Sequence, residues 1–146
     1  MSAPAVPVAP GLLVNIDVDD LGKAIRFYTE AFGLRVGRRF GAGGAELLGT
    51  SAPIYLLAKP AGSQATAATG ETRRYDRHWT PVHLDFVVAD IEAAAARAVA
   101  AGGAQEAATK TADWGRLALM SDPFGNGFCL VQFLNRGYDE IDEPVT

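Results

Sequence analysis

Apolar and polar positions along this chain fall into one pattern that occurs twice. Residues 13–33 read LVNIDVDDLGKAIRFYTEAFG and residues 83–103 read HLDFVVADIEAAAARAVAAGG, and the two align without a gap, the second starting 70 positions after the first. Internal repetition of this length marks a duplicated structural unit. In each copy a short alternating run ends at an acidic residue, Asp20 or Asp90, whose carboxylate can accept the free N–H groups of a following helix. Each helix then stops at glycine, at Gly33 or at the pair Gly102-Gly103. In the first helix Leu21, Ala24, Ile25, Tyr28 and Phe32 recur at three- and four-residue spacing and predict one apolar face. In the second, Ile91, Ala94, Ala95, Ala98 and Val99 predict a slim, alanine-rich cylinder that can lie close to a sheet.

Each helix is followed by runs suited to three short strands. In the first half these are Arg35–Phe40, Ala45–Gly49 and Ile54–Ala58; in the second, Gln105–Thr109, Arg116–Ser121 and Gly127–Leu134. Asp122-Pro123-Phe124-Gly125-Asn126-Gly127 joins the last two with turn chemistry, proline fixing φ and Asn-Gly accepting positive φ. The predicted organisation is a tail over 1–10, a βαβββ module over 11–58, a connecting loop over 59–80, a second βαβββ module over 81–134 and an acidic tail over 135–146. The connection reads either as a flexible linker or as a lid, and both tails are expected to add little to the core.

Strand parity separates the two faces of each opening strand. Val14, Ile16 and Val18, like Leu84, Phe86 and Val88, point beneath the helices. The opposite parity carries Leu13, Asn15 and Asp17 in one copy and His83, Asp85 and Val87 in the other, a mixed set ill suited to dry packing and therefore expected to face a cleft.

Composition narrows the function. With 146 residues, 49% of them hydrophobic, there is material for one core and too little for two typical domains. A net charge of −4 with 13 dispersed Lys and Arg leaves no footprint for a nucleic acid or an anionic membrane. No apolar run reaches the roughly 20 residues needed to span a bilayer. The lone Cys129 cannot form an intrachain disulfide, and MSAPAVPVAP lacks the basic start and apolar stretch of a secretion signal, so a reducing cytoplasm is the expected location.

The paired strand-helix openings, Phe27-Tyr28 near the end of the first helix and the Asp122-Pro123-x-Gly125 turn before the last strand resemble the vicinal-oxygen-chelate superfamily, which includes glyoxalases, bleomycin-resistance proteins and extradiol dioxygenases. The resemblance runs from about Leu12 to Phe133. It implies an α+β fold in which two tandem βαβββ modules form an eight-stranded, incompletely closed barrel, with a small molecule bound in the concave interior and a homodimer as the common assembly. It also implies that metal-using members place ligands at positions that fall here on Leu13, Tyr55, His83 and Cys129. Of these only His83 is a usual ligand type; leucine has no donor atom, tyrosine is uncommon, and His83 with Cys129 falls short of three protein ligands. No metal site and no cofactor are therefore expected, a divalent ion at His83 being the alternative.

The resulting candidate ligand site comprises Leu13, Asn15, Tyr55, His83, Asp85, Trp114 and Cys129, with His83 and Asp85 as candidate catalytic residues. His83 and Asp85 stand about 7 Å apart along one strand face, too far for direct contact unless the side chains reach. Imidazole titrates near neutrality and suits general acid-base work; His83 equally suits a hydrogen-bonded wall. Cys129, flanked by Phe128 and Leu130, reads as a core filler or a nucleophile. Tyr55 and Trp114 suit either stacking on a planar ligand or packing. Asp17 fits the wet mouth of the barrel, and Arg73, Arg74, Arg77, His78 and Trp79 fit either closure over an acidic ligand or a solvated loop. The first expectation is a metal-independent protein that binds or sequesters a small organic molecule. The second is a glyoxalase-type lyase or isomerase, or a dioxygenase-related enzyme, using His83 as metal ligand or acid-base group.

Overall fold

A computed structural model describes residues 8–144. The first module runs β1 (Val14–Val18), α1 (Leu21–Phe32), β2 (Arg35–Arg39), β3 (Gly44–Leu48) and β4 (Ile54–Ala58). The second runs β5 (Leu84–Val87), α2 (Ile91–Ala100), β6 (Ala104–Gln105), β7 (Lys110–Ala112), β8 (Gly115–Ser121) and β9 (Gly127–Phe133). Each module forms its own sheet, in the order β1-β4-β3-β2 and β5-β9-β8-β6, with β7 also on β8. In both sheets the opening strand lies parallel to the last one and the remaining pairs are antiparallel. The duplication thus extends to register: Asn15 stands opposite Tyr55, and Asp85, its counterpart, stands opposite Cys129. The two sheets share no ladder among the described residues, so the barrel is open between β1 and β5.

Both helices begin as their sequences predict. The Asp20 carboxylate accepts from the Lys23 N–H at 3.0 Å and that of Asp90 from the Ala93 N–H at 3.2 Å, each with extended backbone at the cap. A second acceptor, the Gln132 side-chain carbonyl, takes the Ile91 N–H at 2.9 Å and ties α2 to β9. The apolar faces are turned slightly from prediction. In α1 the buried residues are Ala24, Phe27, Tyr28 and Ala31, while Leu21, Ile25 and Phe32 are only partly covered. The cause is that α1 packs on α2 as well as on its sheet, which draws Phe27 inward against Tyr28 and Phe128. Val99 lies outside the contact and is 48% exposed. Between the modules Phe32 stacks on Phe86 with ring centroids 4.0 Å apart, and Phe128 meets both rings edge-on. Aromatic contacts of this kind add about 0.5–1.5 kcal/mol each beyond area burial.

Two stretches depart from expectation. Of the strand predicted over Gln105–Thr109 only Gln105 is in a strand, at the end of β6; residues 106–109 form a small loop, closed where Gln105 Nε2 donates to the Ala107 carbonyl and Thr109 Oγ1, and a further strand, β7, follows it. Within the loop Glu106 is drawn off to Arg77. The C-terminal segment also packs more than expected: a 3-10 turn over Gly137–Glu140 brings Tyr138 onto Phe133 and Trp114, at centroid distances of 4.8 and 5.1 Å. The N-terminal tail's first seven residues lie outside the described residues. No helix among the described residues is long and apolar enough to cross a membrane.

Candidate functional site

The segment joining β4 to β5 is strapped to both modules. Arg73 donates to the Asp17 carboxylate on β1 at 2.7 Å and also to Ser63 and the Gln64 carbonyl. The Tyr75 hydroxyl donates to the Lys59 carbonyl at 2.6 Å, and burial first, then the Asp17 charge, hold its proton above the ordinary phenol range. Arg77 donates to Glu106 at 2.6 Å, and the His78 N–H donates to the Gly125 carbonyl at 2.9 Å. Two glycines make the second anchorage feasible. Gly125, at φ +84°, leaves no room for a Cβ against the Asp76 carbonyl, and a Cβ on Gly127 would lie 2.5 Å from the Trp79 ring. Trp79 therefore lies close against β9 at Gly127, and its ring centroid is 4.7 Å from that of His83.

This strap roofs an open cavity of about 1360 Å³ between β1 and β5. Its walls are aromatic and apolar at Tyr28, Tyr75, Trp79, Phe86 and Phe128, and its polar groups include Asn15, Asp17, Arg74, His78 and His83. Arg73 is already paired with Asp17, whereas Arg74 reaches, among the described residues, only the exposed Asp76, at 3.6 Å. Leu13, Asn15 and His83, all predicted for the site, thus line one space. Tyr75, absent from the sequence candidates, lines it too; its signal was weak, one aromatic in a loop.

Beside the cavity, His83 Nε2 and Asp85 Oδ1 are 3.2 Å apart. The side chains lean together across the strand spacing that was expected to separate them. Asp85 and Cys129 are register partners on adjacent strands. Cys129 is 5% exposed, and burial, then the charge of Asp85 and a hydrogen bond to it, push its thiol up to about 11. Such a thiol keeps its proton at neutral pH, which disfavours a nucleophilic role.

The remaining predicted residues are placed differently. The Tyr55 hydroxyl donates to Glu46 at 2.6 Å, and its ring stacks on Phe40. Glu46, 7% exposed, also accepts from the Arg38 N–H at 3.1 Å; the Tyr55 bond is the main reason its carboxyl lies below the usual range. Sequence reasoning missed Glu46, although its parity, opposite to Ala45 and Leu47, placed a carboxylate on the inner face. Trp114 sits among Phe133 and Tyr138, outside the cavity lining. The four positions that the resemblance implies for a metal do not fit one: Leu13 offers no donor atom and Tyr55 is committed to Glu46.

Duplicated βαβββ modules, an open barrel and a cavity between the opening strands define a protein of the vicinal-oxygen-chelate type. A model of the glyoxalase-like domain family matches residues 13–131, and the chain belongs to that family. It is 32% identical over 142 residues to the anthracycline biosynthesis protein DnrV of Streptomyces peucetius, covering 94% of this chain and 47% of that protein, so it spans about half the length of this relative. An uncharacterized protein of Mycobacterium bovis is 31% identical over 152 residues, covering 97% of this chain and 96% of its own. Among solved structures, a glyoxalase/bleomycin resistance protein/dioxygenase family enzyme from Burkholderia phytofirmans PsJN superposes with a TM-score of 0.63 at 20% identity, over 84% of this chain and 97% of its own.

Proposed function

We propose that this chain binds a planar, largely apolar organic molecule in the cavity beneath the 59–83 strap, holding it by aromatic walls and by Asn15, Arg74 and His83. Metal chelation through the family's four positions has no part in that binding. The observation that carries this reading is the strap itself: it is tied to β1 by Arg73–Asp17 and to the β8–β9 turn by His78–Gly125, and it presents Tyr75, between these ties, and Trp79, just after the second, to an open cavity. Aromatic walls with a few convergent polar groups are the usual make-up of a small-molecule site. The relative named for anthracycline biosynthesis lends support, anthracyclines being planar polycyclic compounds. Sequestration of such a compound in the cytoplasm, by a homodimer, is the role that suits a binding protein without a chelate.

Equilibrium dialysis against an anthracycline and a panel of planar aromatic carboxylates tests the proposal. Saturable binding in the micromolar range is expected, weakened at least about tenfold, or roughly 1.4 kcal/mol, by Trp79→Ala and by the pair His83→Ala and Asp85→Ala. Full affinity in all of these variants, for any compound that binds, overturns the assignment.

The 3.2 Å contact of His83 with Asp85 favours one second reading, a lyase or isomerase in which Asp85 orients His83 as the acid-base group. Turnover of a bound compound that Asp85→Asn slows without changing its affinity would select this reading over simple binding.

A further inference from the structure

The gap between the two sheets has two ends, and the duplication makes them equivalent. Ile54 stands opposite Val14 at the start of β4, as Phe128 stands opposite Leu84 near the start of β9. At the Phe128 end the cavity lies under the strap. At the Ile54 end the turn over 49–52 borders a second cavity of about 560 Å³. That volume falls within the roughly 300–1,000 Å³ typical of small-molecule sites. Its walls include Val14, Phe32, Leu34, Ile54, Phe86 and Val88. By strand parity Val14, Ile54, Phe86 and Val88 lie on the helix side of their sheets, the face opposite to Asn15, Tyr55 and Cys129. Asp85 also borders this space, but its carboxylate is turned to His83, 3.2 Å away. One cation stands at the cavity as well. Arg97 of α2 borders it, and none of the ion pairs among the described residues involves Arg97. The position is out of pattern in the repeat: 70 residues earlier the first copy carries Phe27, which is fully buried.

We propose that this second cavity binds an aliphatic monocarboxylate, its chain against the apolar walls and its carboxylate on the Arg97 guanidinium. Phe32 and Phe86 lie against each other with ring centroids 4.0 Å apart, instead of standing apart to sandwich a planar guest, and the other walls are aliphatic. A guanidinium meets a carboxylate through two parallel hydrogen bonds. Arg97 sits in the last turn of α2, where the partial negative charge of the helix end offsets part of its own, so a singly charged carboxylate is matched better than a doubly charged phosphate. This proposal does not depend on what the strapped cavity holds. Val14, Leu84 and Phe86 line both spaces, so the substitutions that separate the two sites lie elsewhere.

Equilibrium dialysis of the full chain against hexanoate, octanoate and decanoate, each below its micelle concentration, is the test. One equivalent per chain is expected, with affinity rising about fourfold for each added methylene. Arg97→Ala should weaken decanoate at least about tenfold, and Ala52→Trp, which fills the cavity from the turn, should abolish its binding. Both variants should keep native circular dichroism, because Arg97 is exposed and Ala52 partly so. Trp79→Ala should leave decanoate affinity unchanged even where it abolishes binding of a planar aromatic compound, so this proposal and the strapped-cavity proposal fail separately. Absence of saturable decanoate binding to folded wild type overturns the site. So does full decanoate affinity in Arg97→Ala or in Ala52→Trp, and loss of it in Trp79→Ala would move the aliphatic chain to the strapped cavity.

Discussion

Asp122 shows how much one buried side chain can organise. Its Oδ1 accepts from the N–H groups of Phe124 and Asn126 at 2.8 and 2.9 Å, and its Oδ2 from the Tyr28 hydroxyl at 2.5 Å and from Asn126 Nδ2 at 3.0 Å. The Asp-Pro-x-Gly motif is therefore a structural turn that binds the β8–β9 connection to α1, and burial together with the Asp122 charge raises the Tyr28 hydroxyl well above its ordinary range. Asp122→Ala orphans a buried hydroxyl and three turn donors, so a loss of about 4 kcal/mol in urea unfolding is expected, against about 1–2 for Tyr28→Phe. Cys129 gives a second test at this scale. Its thiol moves from 9.0 to about 11 on folding. At pH 8 that lowers the thiolate fraction about a hundredfold, and the greater nucleophilicity of a more basic thiolate restores about tenfold; with the thiol also 5% exposed, iodoacetamide should alkylate the native chain at least about tenfold more slowly than the unfolded one. The sign of the linkage is equally definite. The native thiol binds its proton more tightly than the unfolded one, so this contribution is complete below pH 9 and is lost as pH rises towards 11. Cys129→Ala should lack that slope in the pH dependence of unfolding, and an identical slope in the two proteins would show that the thiol is not responsible.

At the scale of elements, the strap over 59–83 depends on close approach at the β8–β9 turn. Gly125→Ala adds a methyl group where the Asp76 carbonyl sits, at a φ of +84° that alanine seldom adopts. Its expected effect is release of the strap with both modules intact: limited proteolysis should cut between residues 60 and 80 at least about tenfold faster while the helical dichroism stays native. Unchanged cleavage would mean that Arg73–Asp17 and Arg77–Glu106 hold the segment without the close approach at Gly125. None of these bonds was legible in the sequence, where Ala, Thr, Gly and charged residues between two modules read as either a linker or a lid. They join partners distant along the chain, Arg73 to Asp17 and Arg77 to Glu106, and no local pattern encodes them. The modules themselves were legible, because caps such as Asp20 and alternation such as Val14-Ile16-Val18 are local and because the pattern occurs twice. The candidate site was legible only in part. Parity grouped Leu13, Asn15 and His83, which line the cavity, but it set Ile16 and Phe86 beneath the helices, and both line that cavity too; nor could it show that Trp114 would be taken up by Tyr138 or that Tyr55 would be spent on Glu46.

For the molecule as a whole, the open barrel leaves a physical problem. Among the described residues β1 pairs only with β4 and β5 only with β9, so each opening strand presents one unpaired edge towards the gap between the sheets. Around that gap the apolar residues Leu12, Leu13, Val82 and Val87 are 72%, 58%, 84% and 64% exposed. Unpaired strand edges combined with exposed apolar side chains favour self-association, and a two-fold symmetric pair covers the same patch on both copies. A homodimer is the expected state, and light scattering coupled to size exclusion should give twice the chain mass. A stable interface needs roughly 800 Å² from each partner, with its energy concentrated in central apolar contacts. Charging that centre with Leu13→Asp and Val87→Asp should therefore yield monomers, and both positions are exposed enough in the single chain for the substitutions to spare its core. A wild-type protein that stays monomeric at concentrations well above the micromolar range would show that the open edges are tolerated in solution. A dimer that survives both aspartates would place the interface elsewhere, with the exposed β2 strand next to be tested.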